Sequence, residues 1–227
     1  MESARHREQM AMLIDSLRSA FRDREDLYVG GNMFLYFSET QSRRNDFRGP
    51  DVFVVLGTTQ RERRAWVVWE EDGRAPDVVI ELLSESTEKV DRGDKMRIYA
   101  RTLHVAEYFL FDPFSGVLEG YELDAVHGKY LPKTPDSRGR VTCEQLGLLL
   151  GKVASSHCGM QAEWLRWLRP TGEVLPTSEE ALDSARNRVD AEKNRADAEK
   201  ARADAEGDRA EQLAAELEAL KASRQDR

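Results

Sequence analysis

Pro76-Asp77-Val78-Val79-Ile80-Glu81-Leu82-Leu83-Ser84 contains the most β-like run of this 227-residue chain. β-branched and large aliphatic residues favour a pleated, buried surface. Strand side chains alternate, so Val79, Glu81 and Leu83 share one face, and Val78, Ile80 and Leu82 share the other. Both faces are apolar apart from Glu81, which places the strand inside a sheet. A carboxylate there is costly unless it is paired, hydrogen-bonded or bound to a metal. Two readings stand at this point: a structural ion pair with a nearby Arg or Lys, and a functional carboxylate.

A second carboxylate lies upstream. Gly49-Pro50-Asp51 leads straight into Val52-Phe53-Val54-Val55, putting Asp51 at the mouth of another apolar strand. Pro-Asp alone is an ordinary turn signature. Together, Asp51 and Glu81 on neighbouring strands make the arrangement that holds a hard divalent cation, since Mg²⁺ is bound by one or two carboxylates plus water and substrate phosphate. Downstream, Ser84, Ser86 and Thr87 offer helix caps for a helix from about Lys89 to Arg101. Asp91, Lys95 and Tyr99 fall at i, i+4 and i+8, one stripe of that helix. Lys95 can reach back toward the carboxylates or pair on the surface with Asp91.

Met10, Leu13, Ile14, Leu17, Ala20 and Phe21 recur at helical spacing and give an opening amphipathic helix. Met33 to Phe37, Val52 to Leu56 and Ala65 to Trp69 read as strands, as does Ala106 to Phe111. Val117 to Leu123 and Lys129 to Pro132 form a hairpin around Val126-His127-Gly128. Leu146 to Leu150 reads as a short helix, and Trp164 to Leu168 and Glu173 to Leu175 as two short strands. The sum is one mixed α/β domain, residues 1–175, of α+β character. Trp164 and Trp167 read as core aromatics. From residue 176 the texture changes: Arg188 to Asn194, Arg195 to Ala201 and Arg202 to Asp208 repeat one seven-residue unit. Its alternating charges at spacings of three and four form ion-pair ladders along an extended helix. Only Leu213, Leu217 and Leu220 make an apolar seam, so the tail is a weak coiled coil at most.

Charge counts against a broad nucleic-acid footprint. The chain holds 34 basic and 42 acidic residues, a net charge of -8. A nucleic-acid surface must therefore be local. Candidate patches are Arg43, Arg44 and Arg48, then Arg61, Arg63 and Arg64, then Arg92, Lys95, Arg97 and Arg101, although each taken alone reads first as ordinary solvated surface. Cys143 and Cys158 are too few and too far apart for a zinc motif, and read as reduced thiols. The N-terminus has no apolar core of signal-peptide length, and no stretch is long enough to span a membrane. A cytoplasmic protein is expected.

The ordered set Pro50-Asp51-Val52-Phe53-Val54, Pro76 to Ser84, Ser86-Thr87 with Asp91, Lys95 and Tyr99, then Glu107-Tyr108 and Asp112-Pro113 resembles the Uma family. That family is a bacterial branch of the PD-(D/E)XK nuclease superfamily. The likeness runs through Gly120-Tyr121, Tyr130 and Leu146-Gly147-Leu148 to Gly172-Glu173, and includes the charged helical tail. It implies a restriction-endonuclease-like core and a Mg²⁺-dependent site, with Mn²⁺ as a substitute, cleaving nucleic acid, DNA in the first instance. Asp51 and Glu81 would be metal ligands, with the Leu82 carbonyl as a further one and Lys95 as the catalytic cation. Asp91, Tyr99 and Glu39 are second-tier candidates, as are Glu8 and Glu107. One departure stands out: the superfamily's Glu-x-Lys places lysine at position 83, where this chain has Leu83, and Lys95 would have to replace it. The alternative is a catalytically silent nuclease fold serving as an interaction module. Self-association through the domain or the C-terminal helix fits either reading.

Overall fold

Leu13 and Leu17 give the opening helix α1 (Ala4–Ala20) its buried stripe, and Ser3 caps it by accepting the His6 amide at 3.1 Å. The computed structural model describes residues 3–38 and 47–225, with side chains through residue 216 except those of 208 and 211. Glu39, Arg43 and Arg44 lie outside the described residues, as do the side chains of Leu217 and Leu220.

Five strands follow: β1 (Leu27–Gly30), β2 (Leu35–Tyr36), β3 (Phe47–Arg48), β4 (Val52–Leu56) and β5 (Trp66–Val67). The central run is β6 (Val78–Leu82). Beyond it the chain is helical from 88 to 101, as α2 (Glu88–Val90), a π turn (Asp91–Lys95) and α3 (Met96–Arg101). Then come β7 (Glu107–Phe111), β8 (Leu118–Asp124), β9 (Lys129–Pro132), β10 (Val141–Cys143), β11 (Leu148–His157) and β12 (Met160–Leu168). A 48-residue helix, α4 (Ser178–Gln225), closes the list.

The main sheet has six strands in the order β1-β4-β6-β7-β8-β9. β6 sits inside it, antiparallel to β4 and parallel to β7. Parallel neighbours need a crossover, and the 88–101 helical stretch supplies it. The alternation read from residues 78–83 divides the core in two. Val78, Ile80 and Leu82 pack with Leu13 and Leu17 of α1 and with Val141, Leu150, Leu165 and Trp167 of a second sheet, β10-β11-β12. Val79 and Leu83 pack on the opposite face with Tyr99, Leu103, Leu35 and Trp66. A small third sheet, β3-β2-β5, lies on that side.

Several elements depart from the sequence reading. Leu146 to Leu150 is not helical: β11 begins at Leu148 and runs ten residues. A five-residue apolar run does not separate helix from strand, and here two partner strands decide it. β12 is longer than Trp164 to Leu168, reaching back to Met160 through a two-residue turn. In that turn Cys158 and Gly159 both have positive φ, 47° and 74°, as a type I′ hairpin requires. The strand expected at 65–69 shortens to β5 and gives way to a 3-10 turn, Val68–Glu70. The strand expected at 33–37 shortens to β2, and Glu173 to Leu175 contributes one bridge, Val174 to Leu168.

The chain divides into two units, Met1–Ser178 and Glu179–Arg227. In the second, the described charged side chains are exposed, as are Leu182, Val189 and Leu213. Among the described residues no helix is long and apolar enough to cross a membrane.

Candidate active site

Pro50 directs Asp51 into β4, and the antiparallel register pairs Val52 with Ile80, so Asp51 stands opposite Glu81. Their main chains lock the pair. The Asp51 amide donates to Glu81 Oε2 at 3.3 Å, and the Leu82 amide donates to Asp51 Oδ2 at 2.7 Å. Glu81 is fully buried, whereas the Asp51 side chain keeps 15% of its surface exposed. Asp51 is therefore the rim of the site and Glu81 its floor.

The helical stretch 88–101 covers this floor. Lys95 Nζ lies 3.0 Å from Glu81 Oε2 and 2.8 Å from Asp91 Oδ1, and the Tyr99 hydroxyl donates to Glu81 Oε1 at 2.9 Å. In a regular α-helix each four-residue step overshoots a full turn by about 40°. The wider π turn across Asp91–Lys95 takes fewer degrees per residue, which offsets that drift and keeps Asp91, Lys95 and Tyr99 on one line. Tyr108, on β7, ties the turn down by donating to the Asp91 carbonyl at 2.9 Å. Leu83, in the place of the Glu-x-Lys lysine, is an apolar wall 5% exposed.

Burial pushes the Glu81 carboxyl up to about 8; Lys95 pulls it down, but the nearby Asp51 and Asp91 charges add to the rise. Burial works against the Lys95 charge, yet two carboxylates outweigh it and raise the ammonium to about 12. The two directions agree because Glu81 has one cation and two anions around it, and Lys95 has two anions. Burial, then the Glu81 charge, push the Tyr99 phenol well above its ordinary value, so it remains a donor.

His6 is the neighbour that sequence reasoning missed. Its Nε2 lies 3.3 Å from Asp51 Oδ1, a hydrogen bond when that nitrogen carries the proton. The signal was there in outline: His6 and Gln9 interrupt, at its N-terminal end, the stripe that continues through Leu13 and Leu17. His6 also lines a cleft of about 370 Å³ with Ser3, Leu83, Ser84, Glu88 and Phe114. Glu107 stands apart from the site. It pairs with Lys133 at 2.6 Å and accepts the Glu144 and Gln145 amides, an anchor for the loop after β10. Several candidate arginines are already engaged. Arg61 and Arg63 share Glu71, Arg92 pairs with Glu88 and Glu119, and Arg97 pairs with Asp94.

Gly31 controls the approach to Asp51. The Asn32 amide donates to the Pro50 carbonyl, and a Cβ on Gly31 would overlap the Asp51 carbonyl oxygen and the Ile14 side chain. Gly31→Ala is expected to cost about 1–3 kcal/mol, the usual range for overpacking. A urea melt checks it, and an unchanged midpoint would show that the segment shifts freely.

The mixed sheet thus brings a carboxylate pair together at adjacent inner strands, with a lysine from the crossover helix against it. The family model described as “Uma2: Putative restriction endonuclease” matches residues 1–151, and the chain belongs to that family. It is 30% identical over 103 residues to the uncharacterised protein slr1290 of Synechocystis, covering 44% of this chain and 48% of that one. The chain thus spans about half the length of the curated relative it matches. A solved structure described as a putative nuclease of the DUF820 family from Anabaena variabilis is similar at 15% identity and a TM-score of 0.46, covering 64% of this chain and 75% of that one.

Proposed function

We propose that this protein is a Mg²⁺-dependent endonuclease that hydrolyses phosphodiester bonds in DNA. The observation that carries the reading is the hydrogen-bonded Asp51–Glu81 pair with Lys95 3.0 Å away. The donor set suits the ion. With Glu81 ionised, as a bound cation would favour, Asp51, Glu81 and Asp91 would set three negative charges against the Lys95 ammonium, a surplus that one divalent cation balances. Both ligands are hard oxygens, and the Leu82 carbonyl, next to the amide that holds Asp51, is the candidate for a third.

Bound there, Mg²⁺ or Mn²⁺ would supply Lewis acidity toward a phosphodiester oxygen and acidify a water molecule. The chain's own groups do the rest. The Leu82 amide and Tyr99 hydroxyl each hold one carboxylate oxygen, fixing both carboxylates before substrate arrives. Lys95, kept protonated by its two carboxylates, places a fixed positive charge where negative charge develops on the phosphate. His6 Nε2 meets the other Asp51 oxygen, Oδ1, at 3.3 Å and helps to orient the carboxylate.

The engaged arginines favour a second reading, a silent nuclease fold acting as an interaction module, with the tail as the means of association. One experiment separates the two. Purified full-length protein should nick supercoiled plasmid only with added Mg²⁺ or Mn²⁺, and should stop on chelation. Asp51→Ala should remove the activity. Nicking that persists in the variant would identify a contaminant and leave the silent reading standing.

A further inference from the structure

A second group of potential ligands lies away from the carboxylate pair. Glu8 projects from the first turns of α1, while His157 and Cys158 sit at the tip of the β11–β12 hairpin. Cys158 Sγ is 3.4 Å from Glu8 Oε2, and His157 Nε2 is 3.6 Å from the same oxygen. All three ligand atoms lie within 4.8 Å of one another. We propose that Glu8, His157 and Cys158 form a metal site for a borderline-soft divalent cation, Zn²⁺ in the first instance, clamping the hairpin tip to α1.

The spacing supports coordination. Usual Zn–S, Zn–N and Zn–O distances of about 2.3, 2.0–2.1 and 2.0–2.2 Å give tetrahedral edges of roughly 3.4–3.6 Å between ligand atoms. The two measured separations lie within about 0.2 Å of their edges and the third pair is within 4.8 Å, so side-chain rotations can close the group around a cation. Charge agrees as well: a thiolate and a carboxylate neutralise a dication, with the imidazole neutral. Thiolate and imidazole select against Mg²⁺ and for Zn²⁺. Three protein ligands leave one tetrahedral position for water.

The hairpin prepares the ligands. Neighbouring strand residues point to opposite faces, but positive φ at Cys158 turns its side chain toward the side His157 occupies. The His157 ring is held edge-on against Trp164, their centroids 5.5 Å apart. Glu8 is two residues from His6, so an occupied clamp would also steady the turn of α1 that meets Asp51. In the absence of metal the same groups satisfy one another through an S–H···O bond and a His–Glu contact.

The test is a Co²⁺ titration of metal-stripped, reduced, full-length protein, followed by displacement with Zn²⁺. One equivalent of Co²⁺ should produce thiolate-to-metal charge-transfer absorption in the near ultraviolet with intense tetrahedral bands in the visible, and Zn²⁺ should bleach both. Cys158→Asn should abolish the charge-transfer band; asparagine suits the positive-φ turn position, so folding is not the obstacle. His157→Ala and Glu8→Gln should weaken Zn²⁺ binding by more than the roughly 10–100-fold expected of an outer-shell partner. Asp51→Ala should leave the spectrum intact, which separates this site from the nuclease reading. Absence of the band in the unsubstituted protein, or its survival in Cys158→Asn, would overturn the proposal, as would unchanged affinity in both His157→Ala and Glu8→Gln.

Discussion

Replacing Lys95 with methionine is expected to slow metal-dependent nicking by about 10²–10³-fold, the usual loss when one preorganised charge is withdrawn from a transition state. The same change also threatens stability. Lys95 is the cation that faces Glu81 and Asp91 at 3.0 and 2.8 Å, and both carboxylates are buried. Breaking a buried pair by removing one partner costs about 3–5 kcal/mol when the other charge is left behind. Glu81 can escape by taking a proton, whereas Asp91 loses its 2.8 Å partner at either pH, so the destabilisation should be larger at pH 8.5 than near pH 5.5 and persist at both. Rates therefore need to be compared near pH 7 on protein whose folded state is checked by circular dichroism. The discriminating variant adds Leu83→Lys to Lys95→Met. Position 83 shares the Glu81 face of β6, so an ammonium placed there should recover part of the lost rate. Lys95→Met with a wild-type rate would remove Lys95 from the mechanism.

The grouping of Asp51, Glu81, Lys95 and Tyr99 was legible in the sequence because each clue was local. A lone glutamate in an aliphatic run, an aspartate at a strand mouth and a four-residue helical spacing require no knowledge of distant contacts. The division of residues 78–83 between two cores followed from the same period of two. What stayed hidden depends on sequence-distant neighbours. His6 meets Asp51 across 45 residues, and Glu8 meets Cys158 across 150. The adjacent pair His157-Cys158 carries no metal-binding spacing by itself, since its third member comes from another element. The sheet β10-β11-β12 was missed for the same reason: Leu146 to Leu150 is too short to reveal its period, and pairing with residues 160–168 makes it a strand. For Arg61, Arg63, Arg92 and Arg97 the ion-pair partners were the hidden part: the clustering was visible, whereas Glu71, Glu88, Glu119 and Asp94, which engage them, were not assigned to them.

Glu81→Gln should end nicking and yet stabilise the metal-free protein at alkaline pH. The folded protein raises Glu81 to about 8, well above the roughly 4.3 of an unfolded glutamate. A carboxyl raised on folding contributes its full stability only below the unfolded value. That contribution is lost as pH climbs toward 8, because the unfolded chain ionises first. Glutamine removes the ionisation while Asp91 remains as a partner for Lys95 at 2.8 Å, so no cation is orphaned. At pH 8.5 the variant should be more stable than the parent by about 2–3 kcal/mol, in line with the gain seen when buried charge is replaced by neutral groups. For a domain of this size that is roughly 4–12 °C in Tm. At pH 4.5 the gap should nearly close, since Glu81 is protonated in the folded chain and about half protonated in the unfolded one. Saturating Mg²⁺ should narrow the gap at pH 8.5 by stabilising only the parent, as a ligand that binds the folded state must. A variant less stable than the parent at pH 8.5 would mean that the Lys95–Glu81 attraction outweighs the burial of charge. The glutamate inside the aliphatic strand would then be a structural ion pair first, and its stability could no longer be read as a cost borne for binding a metal.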